Sequence, residues 1–191
     1  MSDLQFFYDV ASPYSYLAAA RIERVAQTAN VTVRWTPFLL GGVFRSVGNT
    51  MPAAVPARAA YLFKDLNRWA LADETEFRFS STFPHNSLLC MRVLTAAPAD
   101  LLIPLSQRLF KAAWVDDKNI GDPEVVREVL GDHAYLIEAT TDPAIKASLI
   151  ETTSAAVELG AFGAPSFVVG EELFWGNDRL EMAIEAARLA Q

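Results

Sequence analysis

The sequence predicts an α/β fold in which a small sheet is interrupted by a long helical insertion. Two strand patterns lie near the N-terminus, a largely apolar and aromatic run over residues 4–9 and an alternating run over residues 31–36. Two further short strand patterns occur only after residue 160. The residues between these halves carry helical periodicity and turn signals, so the sheet is expected to form from both ends of the chain.

The first half of the pattern is a βαβ unit. Pro13 suits the first turn of a helix that follows the first strand. The apolar residues at helical spacing in this helix are Tyr14, Leu17, Ala18, Ile22 and Val25. Because a helix connects the two strands, we expect them to be parallel, with a right-handed crossover.

The middle of the chain predicts a helical subdomain. Residues 38–55 contain Gly41-Gly42 and Gly48-Asn49 and are expected to form a loop. Helices are expected around residues 61–69, 88–94 and 102–113. Two more should begin at Asp122-Pro123 and Asp142-Pro143, where an N-capping aspartate precedes a first-turn proline, and the second should end at Gly160.

The α/β alternation returns after this insertion. Strands over residues 164–169 and 173–175 precede a last helix, at whose start Asp178 and Glu181 have the spacing of a capping box. A βαβ half, a helical insertion and a ββα half together describe a thioredoxin-like fold. Residues 1–40 and 160–191 would form the thioredoxin-like domain, residues 41–159 the all-helical insertion, and Ser12 would lie near Pro165.

Composition argues against several classes of partner. The 191 residues include 23 acidic and 16 basic side chains, a net charge of −7, and no Lys/Arg-rich stretch, so no nucleic-acid partner is expected. The N-terminus lacks the pattern of a leader, and no apolar run approaches the roughly 18 residues of a membrane span. We therefore expect a cytoplasmic protein with no membrane partner.

The counts of cysteine and histidine limit the chemistry of the chain. Cys90 is the only cysteine and lies in an apolar helical stretch, which favours a small core residue over a nucleophile. The chain is accordingly expected neither to reduce nor to oxidise disulfides. His85 and His133 lie far apart and form no ligand spacing, so no metal site is expected. His85, near a helix start, could polarise a ligand, but a capping or surface role is favoured for a histidine at this position.

The tetrapeptide Ser12-Pro13-Tyr14-Ser15 is the strongest functional signal. It stands after the first strand and opens a helix, where thioredoxin-like redox proteins carry C-x-x-C, but both cysteine positions are serines. A hydroxyl forms no disulfide, yet at a helix N-terminus, which favours negative charge, it can donate a hydrogen bond to a thiolate. The pattern indicates a site for the thiol of a bound ligand.

Several segments along the chain together resemble one known family. They are Phe7-Tyr8-Asp9, S-P-Y-S-Y-L from Ser12, P-F-L-L-G-G from Pro37, Gly48-Asn49, Asp65-Leu66, R-W-A from Arg68, Phe83-Pro84, G-A-P-S-F from Gly163 and F-W-G-N-D-R-L from Phe174. The resemblance is to 2-hydroxychromene-2-carboxylate isomerases, which belong with kappa-class glutathione transferases in the DsbA-like branch of the thioredoxin superfamily. It covers essentially the whole chain, and S-P-Y-S with W-G-N-D-R-L is specific.

The resemblance implies a glutathione-dependent cis/trans isomerase of an unsaturated aromatic keto acid, working as a homodimer. The glutathione thiolate adds to a conjugated carbon, the resulting single bond rotates, and elimination returns glutathione unchanged. Ser12 is the implied catalytic residue, hydrogen-bonded to the sulfur. The implied glutathione contacts, with Ala164-Pro165 cis, are Asn49, Arg58 (where the family commonly has a lysine), Ala164, Pro165, Asn177 and Asp178.

The substrate contacts remain open between several residues. Asn86 and Arg92 are the candidate substrate-binding residues, and Arg68 is a further candidate for a carboxylate unless it pairs with Asp65 one helical turn away. The aromatic residues that either line a substrate pocket or belong to the core are Phe38, Phe44 and Trp114.

Two other functions remain open at this point. A kappa-like glutathione transferase or peroxidase would use the same glutathione site but would consume the thiol. A thioredoxin-fold protein that binds its ligand without catalysis would turn over no electrophile. Each polar candidate also has a structural explanation, because Ser12, Asn49 and Asp178 are residue types that cap helices or order loops.

Overall fold

A four-stranded mixed sheet, built from both ends of the chain, positions the candidate site. The computed structural model describes residues 3–191. The strands are β1 (Leu4–Tyr8), β2 (Val33–Pro37), β3 (Ser166–Val169) and β4 (Glu172–Trp175), in the order β2-β1-β3-β4. β1 pairs parallel with β2 and antiparallel with β3, and β3 pairs antiparallel with β4. The predicted thioredoxin-like fold is confirmed.

The central strand is buried on both faces, which explains its largely apolar sequence. Phe6 and Tyr8 point into the main hydrophobic core, whereas Phe7 points into a smaller cluster on the opposite face of the sheet. Phe38 belongs to that smaller cluster and Trp114 to the main core, and both are fully buried. These two aromatic residues are therefore core residues.

The helix predicted between the first two strands is divided into α1 (Pro13–Ala19) and α2 (Ile22–Ala29). The break coincides with Arg21, whose side chain is only 5% exposed and pairs with Asp73 at 3.2 Å and with Glu181. Its guanidinium also donates to the backbone carbonyl of Asn177 at 2.7 Å. Arg21 thus connects the first helical segment to the insertion and to the C-terminal segment.

The loop predicted over residues 38–55 is wrong for its first part, which forms α3 (Leu40–Val47). Gly42 lies in this helix close to Thr153, and a Cβ at this position would be 3.1 Å from the side-chain methyl of Thr153, which favours glycine here. Gly48 ends the helix in the left-handed region, at φ +67°. A 3₁₀ turn over Pro52–Ala54 follows.

The insertion continues with six further helices. They are α4 (Pro56–Ala72), α5 (Leu88–Ala96), α6 (Ala99–Trp114), α7 (Pro123–Leu130), α8 (Leu136–Ala139) and α9 (Pro143–Glu158). The predicted caps of α7 and α9 are confirmed, because the carboxylates of Asp122 and Asp142 accept hydrogen bonds from backbone amides two residues later, at 2.9 and 2.8 Å. Within residues 3–191, no helix combines the length and apolar character needed to cross a bilayer.

The C-terminal helix α10 (Leu180–Leu189) follows a 3₁₀ turn over Asn177–Arg179. The predicted capping box at its start is wrong. Glu181 pairs with Arg21, and the Asp178 carboxylate pairs with Arg179 at 2.7 Å. Both carboxylates therefore pair with arginines, and no side chain of the described residues caps the start of α10.

The helical insertion shares its hydrophobic core with the sheet. The indole nitrogen of Trp114 donates to the carbonyl of Val10 at 2.8 Å, and the hydroxyl groups of Tyr8 and Ser106 lie 2.5 Å apart. These contacts hold α6 directly against the end of β1. The division into a thioredoxin-like domain and an insertion at residues 41–159 stays a prediction about the chain's organisation.

We predict that Arg21→Met lowers the free energy of unfolding by about 3–5 kcal/mol, because it leaves the partly buried Asp73 carboxylate without its partner. Urea denaturation measures this loss. Arg188→Met is the matched control, since its pair with Glu185 is exposed on α10 and should contribute little to stability. Equal, small losses in both variants would contradict the structural role of Arg21.

Candidate active site

A cavity of about 910 Å³ opens beside the end of β1. Its volume lies within the range of small-molecule sites, about 300–1,000 Å³. Its walls are the β1–α1 turn, α3 with the residues that follow it, the start of α4, residues 83–88, residues 162–164 and Trp175. Both the sheet end and the insertion therefore contribute to this cavity.

Ser12 lies on the sheet side of the cavity and is 4% exposed. Its hydroxyl caps α1 by accepting a hydrogen bond from the Ser15 amide at 3.1 Å and donates to the Ala164 carbonyl at 3.1 Å. The Ala164-Pro165 peptide bond is cis. The predicted proximity of Ser12 to this bond is confirmed.

The carboxylate of Asp9 lies beneath the same corner and is almost completely buried. It accepts hydrogen bonds from the Ala11 amide at 2.9 Å and from the Leu40 amide at 2.8 Å. Burial raises the pKa of the Asp9 carboxyl above its ordinary range, although these hydrogen bonds act in the opposite direction. The carboxylate fixes the start of α3 relative to the β1–α1 turn.

The outer rim of the cavity joins the segment after α3 to the segment before β3. The side-chain amide of Asn49 donates to the Phe162 carbonyl at 3.1 Å, and the Phe162 ring packs against the half-exposed Trp175 ring. Gly163 is needed here, since a Cβ would lie 2.4 Å from the indole nitrogen of Trp175. Asn49 thus holds a defined position on the rim.

The structure brings five of the nine predicted site residues together on the cavity wall. They are Ser12, Asn49, Arg58, Asn86 and Ala164. The remaining four, which do not line the cavity, are Pro165, Asn177, Asp178 and Arg92.

Two of these four residues form side-chain contacts with arginines. Asn177 is 2% exposed and its side-chain oxygen accepts from Arg21 at 3.2 Å, whereas Asp178 is half exposed and paired with Arg179. Their roles as ligand contacts stay predictions.

Comparison with known proteins now places this geometry in a family. The model of the DSBA-like thioredoxin domain matches residues 3–187. The chain belongs to this family.

Named members of the family include both isomerases and glutathione transferases. Human glutathione S-transferase kappa 1 is 30% identical over 94% of this chain and 88% of its own length. The 2-hydroxychromene-2-carboxylate isomerase of Pseudomonas putida is 30% identical over 94% of this chain and 91% of its own. A solved structure of a 2-hydroxychromene-2-carboxylate isomerase matches with a TM-score of 0.85 at 30% identity, covering 98% of this chain and 95% of that one. The resemblance predicted from the sequence is confirmed.

In this DSBA-like chain, the arginines and aromatic residues near the cavity differ in part from the prediction. Arg68 is exposed and does not pair with Asp65, which instead accepts hydrogen bonds from the hydroxyl groups of Tyr14 at 2.7 Å and Tyr61 at 3.3 Å. Phe44 lines the cavity, which agrees with one of its two predicted roles. Arg45 also lines the cavity, although it was not among the predicted site residues.

His85 was expected as a helix cap or a surface residue, and this is wrong. Its ring lines the cavity and packs edge-on against Trp114, with centroids 5.3 Å apart. Burial lowers the pKa of His85, and its buried Nε2 has no hydrogen-bond partner among residues 3–191. At neutral pH the cavity therefore receives an uncharged imidazole from this position.

Cys90 is a core residue, as predicted. It is fully buried, and its thiol donates to the Ile120 carbonyl at 3.4 Å. Burial raises the pKa of the Cys90 thiol to about 12. Among residues 3–191, no group of three or more His, Cys, Asp or Glu side chains is arranged to hold a metal ion.

We predict that the native chain reacts with an aromatic disulfide reagent at pH 8 about a thousandfold more slowly than a free thiol, because the raised pKa leaves almost no thiolate and burial blocks access. The measurement is the rate of thionitrobenzoate release. The same chain in denaturant is the control and should release one equivalent, from Cys90, at the free-thiol rate. Rapid native reaction would contradict the core assignment.

Proposed function

We propose that this chain is a glutathione-dependent isomerase of the 2-hydroxychromene-2-carboxylate type. The observation that carries the proposal is the serine hydroxyl at the corner of a large cavity, beside a cis-proline segment, in a chain whose one cysteine is buried elsewhere. Such a cavity can direct a thiol but cannot supply one. Isomerase relatives that match almost the full chain support the same conclusion.

The residues around the cavity fit glutathione. The cavity is large enough for a tripeptide beside a small aromatic substrate, Ser12 offers a hydrogen-bond donor for a sulfur, and Arg58 offers a cation for a carboxylate. When bound, glutathione supplies a thiolate that adds reversibly to a conjugated carbon, so that a double bond becomes a rotating single bond. The protein then needs no nucleophile of its own.

Ser12 has one task in this proposal. Its hydroxyl hydrogen points to the Ala164 carbonyl at 3.1 Å, and a small rotation of the hydroxyl would direct it to a sulfur bound in the cavity. A hydrogen bond to a charged group is worth about 1.5–3 kcal/mol, which favours the thiolate over the thiol. Ser12 would thereby lower the thiol pKa of bound glutathione.

The remaining parts of the proposal rest on the family resemblance. Asn49, Arg58, Ala164 and Pro165 would contact the tripeptide, and Asn177 and Asp178 would hold its γ-glutamyl end. Asn86 would contact an unsaturated aromatic keto acid, whereas the role of Arg92, which does not line the cavity, stays a prediction from the sequence. We also propose that the protein acts as a homodimer in the cytoplasm.

A kappa-like glutathione transferase is the second candidate. It is favoured by the kappa 1 relatives, which match this chain at the same level of identity as the isomerases. The two activities share the thiolate and differ in whether the carbon–sulfur bond is broken again. The fate of the thiol therefore separates them. Glutathione binding without turnover of any electrophile would leave the third, non-catalytic alternative.

We predict that Ser12→Ala lowers the turnover of 2-hydroxychromene-2-carboxylate by about tenfold or more, because a hydrogen bond worth about 1.5–3 kcal/mol to the thiolate is lost. The thiolate absorbance of bound glutathione, measured in the ultraviolet against pH, should shift to higher pH. Ser12→Thr keeps the hydroxyl and should recover most of the activity.

Two controls separate this role from the capping role of Ser12, which is worth about 1 kcal/mol of stability. Ser46→Ala removes an exposed helical hydroxyl outside the cavity and should leave both measurements unchanged. Thermal unfolding shows whether Ser12→Ala remains folded at the assay temperature. A folded Ser12→Ala variant with unchanged turnover and unchanged thiolate titration would rule out the proposed role.

We predict that isomerisation saturates with glutathione while the total free thiol stays constant to completion. The reason is that addition and elimination return the sulfur with its hydrogen once the substrate has isomerised. Thiol titration and the ultraviolet spectrum of the substrate are followed together in one reaction. Stoichiometric loss of thiol, with a stable thioether product, would identify the transferase, and a rate independent of glutathione would reject both enzymes.

A further inference from the structure

One face of helix α3 is directed into the cavity. Gly41, Phe44 and Arg45 have the spacing i, i+3 and i+4 that places residues on a common helix face, and all three line the cavity. Together they present an open space, a half-buried aromatic ring and a cation. The glycines of this stretch predicted a loop, so the sequence did not indicate that these three residues share one helix face.

The charges that line the cavity favour an anionic ligand. Arg45 and Arg58 are its two arginines. Neither guanidinium group forms an ion pair or a hydrogen bond with any residue of the described chain 3–191. The one carboxylate on the cavity wall is Asp9, which is buried and already bonded to backbone amides. In a chain with a net charge of −7, this cavity is locally cationic.

Gly41 has no structural reason to be a glycine. It lies in a helix, where glycine is less favourable than alanine, and its φ is not in the left-handed region. A Cβ at this position would meet no atom within 4 Å, so no neighbour requires its absence. Since Gly41 lines the cavity, the missing side chain leaves volume that a ligand can use.

We propose that Gly41, Phe44 and Arg45 form the subsite that receives the aromatic acid, with its ring over Gly41 and against Phe44 and its carboxylate on Arg45. This subsite rests on the proposed function, in which Arg58 is assigned to glutathione and Arg45 is left for the second ligand. An arginine can bind a carboxylate through two parallel hydrogen bonds. Arg45, rather than the predicted Arg92, which does not line the cavity, thus determines specificity for acids.

The test uses an inert pair of probes, 1-naphthoate and its neutral amide, whose binding is measured by calorimetry in the presence of saturating glutathione. The unmodified chain should bind the acid at least tenfold more tightly than the amide. Arg45→Gln should reduce this preference to within about twofold and leave the affinity for glutathione unchanged. Arg108→Gln is the matched control, because Arg108 is an exposed helical arginine outside the cavity that forms no ion pair within residues 3–191.

A second variant tests the open space. Gly41→Leu should weaken binding of both the acid and the amide by tenfold or more, because the side chain occupies the volume proposed for the ring. Its melting temperature should not fall, since leucine is a better helix former than glycine. Retained affinity for both probes in folded Gly41→Leu would overturn the location of the subsite.

Two ligands could supply the carboxylate that Arg45 binds, glutathione and the aromatic acid, and the experiment distinguishes them. If Arg45→Gln weakens glutathione binding as much as naphthoate binding, Arg45 holds the tripeptide and the proposal is overturned. It is likewise overturned if Arg45→Gln keeps the preference for the acid, or if Arg92→Gln removes it instead. Failure of isomerisation in the unmodified chain, with the Arg45-dependent preference intact, would reject the proposed function but support the subsite.

Discussion

The buried carboxylate of Asp9 holds together the segments on which the cavity depends. It accepts hydrogen bonds from Ala11 in the β1–α1 turn and from Leu40 at the start of α3. A buried charge is stable only when donors surround it, and the N-terminus of a helix is a favourable place for an anion. One buried carboxyl group therefore links the Ser12 corner to the start of α3.

Around that centre, the cavity has no thiol of its own and receives one imidazole, that of His85. The Cys90 thiol is buried in the core with a raised pKa, and the His85 ring is held uncharged. Ser12 is left as a hydrogen-bond donor at the position where related redox folds carry a nucleophilic cysteine. A fold does not determine its chemistry, and in the proposed function the nucleophile would come from a ligand rather than from the protein.

The sequence predicted elements whose signals are local. The four strands and the aspartate caps of α7 and α9 were recognisable because a strand pattern or a capping residue acts within a few positions of itself. Two of the errors involve residues that contact distant parts of the chain. Gly42 lies in helix α3 close to Thr153, and the Glu181 half of the predicted capping box is absent because Glu181 pairs with Arg21. No window of sequence contains both partners of such a contact.

The same distinction divides the candidate site. Ser12 was predictable because a strand and a helix start flank it, and Ala164 because its proline follows directly. Arg45 and His85 were not, because their positions depend on how the insertion folds over the sheet end. The relatives at 30% identity include isomerases and transferases. In the proposed function both activities would use the Ser12 corner to place a thiol, so the difference between them would arise from what the insertion contributes to the rest of the cavity.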